Sequence, residues 1–288
     1  MARNLRFVIL CAALSLAAPA AGQSTMGRCG FDRTALKFRG TDVEQARCLL
    51  SPVRRVGVLG PIPERLGPFL EANIGRPAAV DRTRLRNLLN AERLQALAAT
   101  VDAPVSRARN NAPGAPFARY FVIHDTSQLL RGSTFPPNDD LLLNGLGTRG
   151  DDGNWVAHTF TNRRGEVLLA HDYRVPWRAV RLERTGVTGG GAKGLFLHNE
   201  VNQPRLGDPN GPAGNDRIAP EPGFTAQQYD RLALLYILAS TRAGRWMIPA
   251  YHAVLDSGIS GGHDDPQNFV LESWEAAIAR RVAQLSEG

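Results

Sequence analysis

The chain has 288 residues, 43% of them hydrophobic and 21% charged, with a formal net charge of +7. That is enough apolar material to build a sizeable core without stapling. The basic residues are spread along the chain with no dense run, which suits an anionic polymer but gives a nucleic-acid partner little support.

Arg3 and Arg6 precede the apolar run "FVILCAALSLAAPAA", and small residues follow up to Gly22. A charged start, a short apolar stretch and a small-residue end predict a cleaved secretory signal over residues 1–22. The run is too short to span a membrane, and no later segment approaches the length needed. The expected location is therefore periplasmic or secreted, and loss of two arginines would take the charge from +7 to +5. Cys11 would leave with the signal. Cys29 and Cys48 remain, an even pair that points to a disulfide in an oxidising compartment, the alternative being two buried thiols.

Residues 23–110 read as an N-terminal extension of unknown role. Its first half is short apolar pieces broken by Gly and Pro, as in "VGVLGPIPERLGP". In "DRTRLRNLLNAERLQALAATV" (81–101), Leu85, Leu88, Leu89, Leu94, Leu97 and Val101 recur at helical intervals, with Asp81 as N-cap. "SRARNNAPGAP" (106–116) reads as a linker.

The texture then changes. "RYFVIHD" (119–125) predicts a buried strand, and "NWVAHTFTNRRGEVLLAH" (154–171) two strands joined by a turn at residues 163–165. "GLFLHNEV" (194–201) predicts a further strand ending in a carboxylate. In "TAQQYDRLALLYILASTRAG" (225–244), Thr225 and Gln228 form a capping box and Gly244 stops the helix. The last 20 residues predict a closing amphipathic helix, and the Pro/Gly-rich stretch 202–223 a long functional or mobile loop. Together these predict an α/β fold: a mixed central sheet flanked by helices over residues 111–288, preceded by a partly helical extension.

Residues 251–269, "YHAVLDSGISGGHDDPQNF", hold material for two chemistries. Gly258 to Gly262 fit the G-x-S-x-G nucleophile elbow around Ser260, but an elbow needs a helix directly after the serine. Two Gly, two Asp and a Pro oppose one there. A metal site has better partners. His124 and Glu200 end predicted strands, while His252 and Asp265 flank the glycine-rich turn. Two imidazoles and a carboxylate make a catalytic zinc shell with one position left for water, and a further carboxylate can then carry protons.

In order, "YFVIHDTS", "WVAHTFTNRRGEV", "LHNEV" and the 251–269 stretch resemble the zinc N-acetylmuramoyl-L-alanine amidases, which share a fold with the peptidoglycan recognition proteins. The match covers residues 119–269. The resemblance implies His124, His252 and Asp265 as zinc ligands, Glu200 as the catalytic glutamate, and Asp264 as a residue that caps or orients the turn. One branch of the family uses a tyrosine on the preceding strand, where this chain has Ala157. The family lysine two residues before the aspartate is replaced by His263, which can still donate to a developing oxyanion or be a simple turn residue. The W-H-A-G motif is missing: "VPWRAVRLERTG" keeps Trp177 but sets Arg178 beside it. His158, Asn199 and Trp177 are expected to line the substrate side, whereas His171 and His198 are expected at the polar surface or behind the ligands. The implied activity is zinc-dependent cleavage of the bond between N-acetylmuramic acid and L-alanine in peptidoglycan or muropeptides. The alternatives are a muropeptide-binding protein of the same fold that does not cleave, and a serine esterase using Ser260.

Overall fold

The computed structural model describes residues 26–146, 156–208, 210–211 and 217–287. The expected signal peptide lies outside these residues. In chain order the strands and helices are β1 (Phe31–Asp32), β2 (Lys37–Phe38), α1 (Asp42–Leu49), α2 (Pro68–Asn73), α3 (Arg82–Ala91), α4 (Gln95–Ala98) and α5 (Ala108–Asn111). There follow β3 (Tyr120–Asp125), β4 (Gln128–Leu129), β5 (Thr159–Thr161), β6 (Val167–Leu169), α6 (Thr185–Thr188), β7 (Phe196–Val201) and β8 (Pro204–Arg205). The chain closes with α7 (Ala226–Ala243), β9 (Ile248–Tyr251), α8 (His252–Leu255) and α9 (Leu271–Ser286).

The central sheet has the order β6-β5-β7-β3-β9. The three strands β7, β3 and β9 run parallel, as does β5 beside β7, and only β6 is antiparallel. This is the mixed α/β sheet expected. Every residue of β3 and β7 is buried, as central parallel strands covered on both faces must be. Phe121 packs edge-on to Tyr236 of α7 and parallel to Trp274 of α9. The long helix α7 forms where its caps dictate. Thr225 and Gln228 make the reciprocal capping box of α7, and Gly244 ends it at φ 71°, a left-handed conformation that a side chain would strain.

Three local expectations are corrected. The helix anticipated over residues 81–101 is two, α3 and α4, because the chain turns between them with Arg93 at φ 61°; Asp81 does cap α3, accepting from the Thr83 and Arg84 amides. The 106–116 linker is tied down: Ser106 is buried and its hydroxyl donates to the Gly194 carbonyl at 2.9 Å, while the Arg107 guanidinium lies over Phe117. The loop 202–223 contains the short strand β8, which pairs with β4.

The N-terminal residues share this core. A disulfide joins Cys29 to Cys48. Phe31 and Phe38 stack against each other and against Phe196 and Tyr120 of the central strands. The Tyr120 hydroxyl accepts from the Phe38 amide and donates to Gln45 of α1. One continuous cluster of buried apolar side chains runs from Cys29 to Leu285. The same segment reaches the loop beyond β9: at Gly57 (φ 70°) an added Cβ would sit 2.4 Å from Cβ of Asp264, so only glycine fits. Among the described residues, no helix is long and apolar enough to cross a membrane.

Candidate metal centre

The parallel strands deliver their last residues to one place. His124 of β3 and Glu200 of β7 are register partners. Tyr251 of β9 pairs with Ile123, so His252, the next residue, emerges beside His124. The glycine-rich turn then returns Asp265 beneath them, its carbonyl accepting from the Ala253 amide and its carboxylate from the Asp125 amide. The site thus occupies the crevice outside the carboxyl ends of parallel strands, where open α/β sheets bind their ligands.

His124, His252 and Asp265 are all buried, and one ligand atom of each lies within 4.8 Å of the others. The two Nδ1 atoms are 2.9 Å apart; Nδ1 of His252 is 3.0 Å from Asp265, and Nδ1 of His124 3.8 Å from it. Ligand atoms about 2.0–2.1 Å from a tetrahedral zinc stand roughly 3.3 Å apart, within this range. Three atoms that carry lone pairs repel one another in a buried place unless a proton or a metal ion lies among them. In the protein alone it is a proton. Burial acts to strip it from His252, but Asp265 and Asp256 outweigh burial and push the His252 pKa up to about 10. Burial, reinforced by the His252 charge, holds His124 well below the usual histidine range. Burial opposes ionisation of Asp265, yet the His252 charge keeps its pKa below normal. The group can hold a metal ion in place of that proton.

Glu200 Oε1 lies 3.9 Å from Nδ1 of His124, close to the group but outside it. A cavity of about 480 Å³ has Glu200 and His252 at its floor, and its wall includes Trp177, Arg178, Arg181, Arg184 and His263. His263 is half exposed and stacks on His252, its ring centroid 4.5 Å away and its Nδ1 3.7 Å from Asp265. Burial and the His252 charge lower its pKa. Trp177 stacks on His171 at 3.9 Å.

Of the residues expected on the substrate side, Trp177 lines the cavity, whereas His158 and Asn199 are fully buried and do not. His158 accepts the His198 amide at Nδ1, and the Asn199 side chain bonds Thr159, Tyr173 and the Val122 and Leu197 carbonyls. They brace the strands rather than face a ligand. His198 is not at the surface: it is fully buried behind His124, with Nδ1 3.0 Å from Nε2 of that ring. Ser260 is exposed in a turn with no helix after it, so the elbow geometry is absent there. Asp264 orients the turn as expected, accepting from Gln267 and reaching Arg205 at 3.5 Å.

Several contributors were missed. Arg205, in a stretch read as loop, is fully buried and pairs with Asp125 at 2.6 Å. Burial pushes the Asp125 pKa up to about 6 even against this arginine. Asp256 and Glu183 lie behind the histidines, and the three wall arginines come from the segment 178–184. The only signal for these last was the density of arginine in "WRAVRLER".

Fold and site together define an α/β protein with a buried two-histidine, one-aspartate group that could hold a metal ion, beside an arginine-walled cavity. Comparison of the chain with protein-family models, curated proteins and solved structures finds no match.

Proposed function

We propose that the chain is an exported zinc amidase that cleaves the bond between N-acetylmuramic acid and L-alanine in peptidoglycan or muropeptides. One observation carries this reading: a group able to hold a metal reaches an open cavity through His252, and a separate carboxylate, Glu200, lines that same cavity. The order of the motifs around His124, Glu200, His252 and Asp265 supplies the substrate.

Two imidazoles and one carboxylate are a donor set of the zinc hydrolases. A bound zinc would supply a Lewis acid for the amide carbonyl and lower the pKa of a water at the cavity floor. Glu200 takes a proton from that water and returns it to the leaving amine. His263, on the rim, donates a hydrogen bond to the carbonyl oxygen as negative charge develops on it. Arg178, Arg181 and Arg184 give the wall a positive field that suits an acidic muropeptide. Arg181 is tethered, donating to the Gly261 carbonyl at 2.8 Å, and so links that wall to the glycine-rich turn.

Digestion of purified sacculi, with products identified by mass, tests the proposal. Free stem peptides that begin with L-alanine, lost on chelation and restored by zinc, are expected. Cleavage of glycan strands or of peptide cross-links, or binding without any cleavage, would sink it.

A further inference from the structure

The backs of the two histidine ligands meet on one short turn. His252 Nε2 lies 3.0 Å from Oδ2 of Asp256, one helical turn on, and the other oxygen of Asp256 accepts from the Leu182 amide at 3.1 Å. His124 Nε2 lies 3.0 Å from Nδ1 of His198, and Nε2 of His198 lies 2.9 Å from Oε2 of Glu183. That last contact is close but is not an aligned hydrogen bond, and burial pushes the Glu183 carboxyl well above the usual carboxylate range. Glu183 is itself fixed, accepting from the Ala179 amide at 3.0 Å. Asp256, His198 and Glu183 are all buried. Leu182 and Glu183 both belong to the single 3-10 turn Arg181–Glu183.

We infer that this turn, through Asp256 and through Glu183 with His198, is the orienting clamp of the metal centre, and that Asp256 and His198 are positioning residues. An imidazole can offer a lone pair at Nδ1 only if its proton sits on Nε2, and that choice is made by what the Nε2 atom faces. Asp256 can only accept, so His252 donates to it from Nε2, and once zinc displaces the other proton its Nδ1 is the bare atom beside Asp265. Oε2 of Glu183, an acceptor oxygen that already takes the Ala179 amide, faces Nε2 of His198 and favours the His198 proton there. His198 then has a bare Nδ1, which accepts from Nε2 of His124 and leaves the His124 Nδ1 free as well. Both ligands thereby bind through the same ring atom. The clamp rests on the reading of this group as a zinc site.

Zinc affinity of the purified protein, measured by competition with a chromophoric chelator, provides the test. Asp256→Ala should bind zinc roughly 10- to 100-fold more weakly, as is usual when an outer partner of a ligand is lost. His198→Ala should show a loss of similar size, and Asp256→Asn, which keeps one acceptor, a smaller one. Long-range nitrogen–proton correlation spectra of the zinc-loaded wild-type protein should place the protons of His124, His198 and His252 on Nε2. Those spectra decide the matter even where a variant fails to fold. A proton on Nδ1 of His198, or a folded Asp256→Ala protein that binds zinc as tightly as wild type, would overturn the clamp alone. A wild-type protein that takes up no zinc would overturn the metal reading and the clamp with it.

Discussion

On one side of the cavity, His124, Glu200 and His252 stand at the ends of strands that hydrogen-bond side by side, and their neighbours are buried. On the other, Trp177 to Arg184 follow an irregular path, and Arg178 and Arg184 are exposed. The first side holds its atoms in place, because no strand can shift without breaking its ladders and its packing. The second holds long, solvated side chains that adapt. On the proposed function, chemistry that needs geometry belongs to the strand ends, and recognition that needs charge belongs to the wall. Changes at the strand ends should therefore be nearly all-or-none, and changes at the wall graded.

The largest effect is expected at the ligands. His124→Ala or His252→Ala should abolish bound zinc and amidase activity together, measured as metal content and product release on the same preparation. Stoichiometric zinc in the His252→Ala protein would remove that residue from the group.

Glu200→Gln should come next, with zinc content unchanged and turnover down by about a hundred- to ten-thousand-fold, the usual cost of a lost general base. Near-normal turnover would move the proton carrier elsewhere on the floor, with His263 the next candidate.

A third effect is pH-dependent. In the zinc-free protein His252 keeps its proton up to about pH 10, and zinc must displace it. Apparent zinc affinity should therefore climb about tenfold per pH unit from neutrality and level off near pH 10. The same raised pKa stabilises the zinc-free fold fully below the unfolded histidine value near 6.5, and that contribution is lost as the pH rises towards 10. Zinc affinity that is flat with pH across this range would contradict the proton's place among the ligands.

At the wall, Arg184→Ala should raise KM severalfold with little change in kcat or zinc content, and added salt should shrink the difference, since exposed charges are screened. An all-or-none loss would erase the contrast between the two sides. The smallest effect is expected for Ser260→Ala, which should leave activity within about twofold of wild type; a collapse with zinc still bound would revive the serine chemistry.

The legible part of the molecule was the part built from regular elements. The apolar run ending in His124, the capping box at Thr225 and the closing helix each carry their signal within a few neighbouring residues, and local propensity and tertiary packing agree there. His198 was harder. The strand β7 is buried on both faces, so alternation cannot say which of its side chains points at the ligands. Arg205 and Asp125 are far apart in the chain, and their burial as a pair depends on β8 docking beside β4. Asp256 and Glu183 act through contacts from a 3-10 turn to the end of a four-residue helix and to His198, and the turn and the helix are too short to leave a pattern. The break at Arg93 is a backbone choice that the leucine spacing on either side does not report.

Anomalous diffraction at the zinc edge from zinc-loaded crystals tests the central claim most directly. A single strong peak is expected about 2.0–2.1 Å from Nδ1 of His124, Nδ1 of His252 and a carboxylate oxygen of Asp265, with Glu200 outside its shell. The absence of a peak there, or a peak bound by Glu200 in place of Asp265, would contradict it.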